Sequence, residues 1–214
     1  MLKSGFYNRD CMEAMREFPD KFFELAIVDP PYGLQSSGNL SRMNGAGKLA
    51  NRAINMLNCD FDLLKPDRSY FVELFRISKN QIIWGGNYFP LPPTRGIIWW
   101  DKMQPWENFS SGELAWTSFD KPAKQFRFDN RTSGKIHPTQ KPVALYSWLL
   151  SKYAKPGDTI IDTHMGSGSI AIACHYAGHH LTACELDEEY FDAACERITN
   201  ATRQTTLDFT ALPA

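Results

Sequence analysis

Cysteine is scarce. The five present, Cys11, Cys59, Cys174, Cys184 and Cys195, are odd in number, scattered and never spaced as CxxC. That pattern excludes a disulfide framework and a thiolate zinc site, leaving reduced, mostly structural thiols. Long apolar runs are missing as well, and none approaches the roughly 20 residues that a bilayer span needs. The amino terminus passes from Phe6 into polar Asn8-Arg9-Asp10 without the apolar segment of a secretory signal, so a cytoplasmic protein with no membrane partner is expected. Charge of one sign is lacking too: 23 basic against 24 acidic residues leave a net charge of -1, which provides no global field for nucleic acid. What is there is a chain of 214 residues, 43% hydrophobic, long enough for one core and too short for two enzymatic domains. One domain over 1–200 is expected, followed by a flexible tail, 201–214.

Positive charge is concentrated locally. From Gly33 to Asn58 the only formal charges are Arg42, Lys48 and Arg52, and from Lys121 to Lys141 there are Lys121, Lys124, Arg127, Arg131, Lys135 and Lys141 against Asp129 alone. The periodicity predicts a short helix from about Cys11 with Asp10 as its cap, a strand Phe22 to Val28, and helices around 50–64 and 67–78. A strand Gln81 to Trp84 follows, then aromatic-rich strands near 97–100, 113–117 and 124–128 that read as a β-meander. After Pro142 a helix leads into a βαβα series: strand 159–162, helix 169–176, strand 180–184 and helix 188–198. Such a series implies a parallel sheet with helices on its faces, completed by strands from the amino-terminal half. The strand ending at Asp29 is the expected neighbour.

The turn Asp162-Thr163-His164-Met165-Gly166-Ser167-Gly168-Ser169-Ile170-Ala171 follows a strand and opens a helix, and Glu185 ends the next strand. Formally this is a dinucleotide fingerprint with its ribose-binding acid, although a plain tight turn and an ordinary helix-start acid are the bland alternatives. Asp162 decides between nucleotides. Beside a pyrophosphate it would cost about 4 kcal/mol at roughly 4 Å and an effective dielectric of about 20, whereas an ammonium would be welcome there. S-adenosylmethionine has that ammonium, no phosphate, and a ribose diol for Glu185.

Asp29-Pro30-Pro31-Tyr32 is the strongest local signal, since a Pro-Pro pair alone occurs by chance about once in four hundred positions. Each proline pushes its predecessor into extended backbone, which makes a stiff turn with fixed carbonyls. An exocyclic amino group is a poor nucleophile while its lone pair is delocalised. Acceptance of its N–H groups by Asp29 and the Pro30 carbonyl draws the nitrogen toward tetrahedral geometry, with Tyr32 available to stack on a base that has left the duplex.

These blocks resemble the N6-adenine/N4-cytosine DNA amino-methyltransferases of the permuted (beta) class. Four carry the resemblance: Asn8-Arg9-Asp10-Cys11, Asp29 to Tyr32, His137-Pro138-Thr139-Gln140-Lys141-Pro142, and Asp162 to Ser169. The resemblance implies an α/β, Rossmann-like S-adenosylmethionine-dependent methyltransferase fold, circularly permuted, with a small strand-rich target-recognition insertion at about 87–135. It implies catalysis by Asp29, Pro30, Pro31 and Tyr32. Cofactor binding falls to Asp10, Cys11, Asp29, His137, Thr139, Lys141, Asp162, His164, Gly166, Ser167, Gly168 and Glu185. Unaided, Asp10 reads as a helix cap and Lys141 as a solvated surface charge. Where the family usually has Pro-Phe after the motif Asp, this chain has Thr163-His164. His164 is then a ring that stacks on or hydrogen-bonds the methionine moiety, or a satisfied structural histidine. His175 and His179 lack the glutamate of a zinc helix, and no metal is expected.

The expected activity is adenine-N6 methylation of double-stranded DNA, of the kind found in restriction-modification systems, with Asp rather than Ser at position 29 favouring adenine over cytosine N4. An NAD-linked oxidoreductase and a non-catalytic nucleotide-binding module are the alternatives from other classes. Arg42, Lys48, Arg52, Lys121, Lys124, Arg127 and Arg131 are expected to contact mainly phosphates. A homodimer is expected as a partner state. Gln204, Leu207 and Phe209 in the tail are spaced like a sliding-clamp docking peptide, with packing onto the parent domain as the alternative.

Overall fold

The computed structural model describes residues 3–33, 65–105, 110–129, 135–137 and 139–203. In chain order the elements are β1 (Gly5–Asn8), α1 (Cys11–Arg16), β2 (Phe23–Val28), α2 (Arg68–Ile77), β3 (Ser78–Trp84) and a 3-10 turn (Gly86–Tyr88). They continue with β4 (Ile97–Asp101), β5 (Gly112–Thr117), β6 (Lys124–Arg127), α3 (Val143–Tyr153), β7 (Thr159–Asp162), α4 (Ser169–Ala177), β8 (His180–Glu185) and α5 (Glu188–Thr202).

The helices begin where the sequence supplies acceptors for their free N–H groups. Asp10 accepts from Glu13 N–H at the start of α1, Asp67 from Ser69 and Tyr70 in α2, and Asp187 from Tyr190 in α5. Glu188 and Glu189 in the first turn of α5 further suit its positive end. Gly178 closes α4 in the left-handed conformation, between His175 and His179.

One eight-stranded sheet has the order β1-β8-β7-β2-β3-β5-β4-β6. Strand residues alternate between its faces. Leu25, Ile27, Ile82, Trp84 and Ile160 pack under Leu145 and Leu149 of α3, Ile170 of α4 and Ile198 of α5. Ala26, Val28, Ile83 and Ile161 pack on the other face against Met15 of α1 and Tyr70, Phe71 and Leu74 of α2. Strand β2 lies parallel to and between β7 and β3, as expected for the strand ending at Asp29.

Two features differ from the sequence reading. Gly5–Asn8 forms an unanticipated edge strand parallel to β8. The aromatic strands are no meander: β5 inserts antiparallel between β3 and β4, and β6 runs parallel to β4 at the outer edge. Burial explains the order, because β5 has four of its six residues buried and takes the interior place, whereas β6 has none and closes the border. The helix expected at 50–64 and the tail from 204 lie outside the described residues, and α5 runs on to Thr202. Among the described residues no helix is long and apolar enough to cross a membrane.

Strands β1, β8, β7, β2 and β3 are parallel and β4 is aligned with them, so their carboxyl ends share one edge, where β5 also starts. Open α/β sheets bind ligands at that edge.

Candidate active site

Asp162 ends β7 with its side chain buried, accepting from His164 N–H at 3.0 Å and making no ion pair among the described residues. Burial, and after it the Asp29 and Glu185 carboxylates, push its carboxyl up to about 8 against the pull of the His164 N–H. The turn that follows has Gly166 and Gly168 at φ +50° and +70°, and a side chain on Gly168 would meet Ile198 at 2.7 Å. Glu185 braces this turn: Oε2 accepts from Gly166 N–H at 2.8 Å and Oε1 from Asp187 N–H at 3.1 Å. From α5, Arg197 donates to the Ser167 carbonyl and to Ser169 Oγ, which fixes the turn from behind.

Five other expected positions lie around this edge. The His137 ring lies 3.9 Å from where a Gly166 side chain would begin, packs edge-on against Tyr190 at 4.5 Å, and accepts from Thr139 N–H at 3.3 Å. Asp10 caps α1 two residues beyond Asn8, which pairs with Glu185, so it reaches the same edge; Cys11 beside it is pushed up to about 12 by burial. His164 is hydrogen-bonded within the fold: its Nδ1 lies 2.9 Å from Thr163 Oγ1, which is 2.6 Å from the Tyr70 hydroxyl, and burial lowers it to about 4. His137 is lowered to about 4 for the same reason.

One strand over, Asp29 follows β2. Its Oδ1 accepts from the Tyr32 hydroxyl at 2.6 Å, and its Oδ2 is paired with Lys141. The Tyr32 ring is stacked on Tyr88 at 5.0 Å, and the Gly85 turn at φ +66° leaves room for it. Lys141 is buried, 3% exposed, and is therefore no solvated surface charge. It also sits 3.0 Å from Glu113 Oε2 and 5.2 Å above the Trp84 ring. Burial alone would lower the Lys141 ammonium, but Asp29 and Glu113 raise it above the usual lysine value. Glu113 is paired in turn with Lys102; burial raises its carboxyl and the two ammonium groups more than reverse that, to about 2. Glu113 and Lys102 escaped the sequence reading because charges flanking the loop of a hairpin look like solvated surface.

Of the basic residues expected to contact phosphates, the three described ones are not gathered in one place. Arg42, Lys48, Arg52 and Arg131 lie outside the described residues, as does Pro138. Lys121 donates to the Lys152 carbonyl near the far end of α3, about 14 Å along the helix from its start beside Lys141. Lys124 is level in register with Trp84 but four strand spacings from β2, about 19 Å. Arg127, at the end of β6, is paired with Asp101 at 3.0 Å and is exposed beyond the level of the site.

Residues 90–196 match the N6/N4 methyltransferase family described as DNA methylase. The chain belongs to that family. Among N6/N4 DNA methylase relatives, the Type II methyltransferase M.HinfI of Haemophilus influenzae is 24% identical over 245 residues, which take in 88% of this chain and 66% of that one. The fold matches TTHA0409 of Thermus thermophilus, solved in complex with S-adenosyl-L-methionine, at a TM-score of 0.59 and 17% identity over 94% of this chain and 96% of that one. It also matches the PvuII DNA methyltransferase, described as cytosine-N4-specific, at a TM-score of 0.59 and 15% identity over 94% and 92% of the two chains.

Proposed function

We propose that this DNA methylase transfers a methyl group from S-adenosylmethionine to the N6 amino group of an adenine turned out of double-stranded DNA. The observation that carries the proposal is the meeting of two motifs on neighbouring strands. Asp29 follows β2 and Asp162 ends β7, and these strands pair in parallel so that both carboxyls reach one edge.

The residues present fit the cofactor. Asp162 is a buried acid without an ion-pair partner among the described residues, suited to an ammonium group, and a phosphate there would face like charge. Asp162 would hold the amino-acid end, the turn from Gly166 to Gly168 would lie against the molecule, and Glu185 has lone pairs left for a diol after its two backbone hydrogen bonds. When bound, S-adenosylmethionine supplies an electrophilic methyl group on a positively charged sulfur.

The chain's own work is to prepare the nucleophile. Asp29 and the Pro30 carbonyl accept the two N–H groups of the target amine, so that its lone pair leaves conjugation with the ring. Tyr32 orients Asp29 through its hydroxyl, and its stack on Tyr88 fixes the phenol. Catalysis is by placement and fixed acceptors, with no covalent intermediate on the protein. Asp at position 29 supports adenine over cytosine. Incubation with S-adenosylmethionine and mixed-sequence duplex DNA, followed by mass spectrometry of nucleosides, tests this directly. N6-methyladenine is expected, N4-methylcytosine would transfer the same chemistry to the other base, and the absence of both would reject the proposal.

A further inference from the structure

A chain of alternating charges leads inward to the catalytic turn: Lys102 pairs with Glu113, Glu113 with Lys141, and Lys141 with Asp29. Lys102 and Glu113 come from the β4–β5 hairpin, outside every motif that carries the family resemblance. Both oxygens of Asp29 are engaged, Oδ1 by the Tyr32 hydroxyl and Oδ2 by Lys141. Each oxygen keeps a lone pair, so an incoming amino group that takes Asp29 as acceptor shares Oδ2 with a buried ammonium, which weakens its hold on the amine.

Resting on the reading of Asp29 as acceptor for the target amine, we propose that Glu113 is a positioning residue that takes over Lys141 when the amine arrives. The ammonium already lies 3.0 Å from Glu113 Oε2. It need not leave its place between the two carboxylates or above the Trp84 ring, 5.2 Å away; only the balance of its hydrogen bonds shifts. Asp29 Oδ2 is then the stronger acceptor for an N–H of the base. Lys102, on the opposite oxygen of Glu113, competes with Lys141 for that carboxylate and sets how readily the handover occurs. Removal of Glu113 and removal of Lys102 therefore act differently on Lys141. Loss of the Glu113 charge locks Lys141 onto Asp29, and loss of Lys102 leaves Glu113 to Lys141 alone.

The test is single-turnover methyl transfer on a duplex that the unaltered enzyme methylates, with dissociation constants for S-adenosylmethionine and DNA measured alongside. Glu113→Gln keeps size and removes charge; its rate is expected to fall about 100-fold while both dissociation constants stay within about twofold. Glu113→Asp is expected to recover activity to within about tenfold of the unaltered enzyme, and Lys102→Met to keep at least about half of it. Any of three results overturns the proposal: a Glu113→Gln rate within about twofold of the original, Glu113→Gln losing cofactor or DNA binding in step with rate, or Lys102→Met falling as far as Glu113→Gln. An unaltered enzyme that methylates no base overturns the functional reading and the handover together; an active one that is indifferent to Glu113→Gln overturns the handover alone.

Discussion

Asp29 and Asp162 end adjacent strands yet live in different company, a hydroxyl and an ammonium for the first and a single N–H for the second. Their roles separate accordingly. Asp29→Ala is expected to abolish methyl transfer and leave cofactor affinity within a few-fold, as read by a radiolabelled methyl assay and calorimetry, because Glu113 still pairs Lys141. Asp162 predicts a pH dependence. Its folded value of about 8 lies above the unfolded value of about 3.9, so the fold binds the proton more tightly. The contribution to stability is full below about pH 4 and is lost as pH rises toward 8. Asp162→Asn is therefore expected to raise Tm by an amount that grows from pH 5 to pH 8, while weakening cofactor binding. In the unaltered protein, S-adenosylmethionine affinity is expected to rise between pH 6 and 8 as that proton leaves. His137 and His164, at about 4, are already neutral in this window. The places of Asp29, Asp162 and Glu185 at strand ends were legible in the sequence, because each stops a short apolar run. The sequence hid Glu113, whose importance comes from a contact with Lys141, a residue 28 positions away that looked solvated.

At the scale of elements, the turn after β3 couples backbone geometry to the carboxylate. Gly85 is at φ +66°, and a side chain there would overlap the Tyr32 ring. Gly85→Ala is expected to cost about 1–3 kcal/mol in urea denaturation from the left-handed conformation and the displaced ring. Its transfer rate is expected to fall while cofactor affinity is kept, since the glycine turn after β7 is untouched. The capped helices and the βαβα series were legible because apolar period and cap residues agree. Strand β1 was not, being four residues long and only half-buried at an edge. Nor was the order of β4, β5 and β6: alternation gives each strand its faces but says nothing of its neighbours.

At the scale of the whole molecule, Lys121 stands apart from Lys124 and Arg127 among the described basic residues expected to meet DNA. Lys121 lies near the end of α3 remote from Lys141, so Lys121→Ala is expected to leave duplex affinity and its salt dependence unchanged in anisotropy titrations. Lys124 and Arg127 stand on the strand that closes the sheet. Their joint replacement by alanine is expected to weaken binding to all sequences and reduce the logarithmic salt slope by up to about 1.8, at about 0.9 per phosphate contact. The same borders govern how copies of the protein meet. Among the described residues the outermost strands, β1 and β6, are each four residues long, and β6 carries Lys124 and Arg127. Brief, charged borders give another sheet little ladder to extend. Growth of fibrils through either border is thereby disfavoured in concentrated protein.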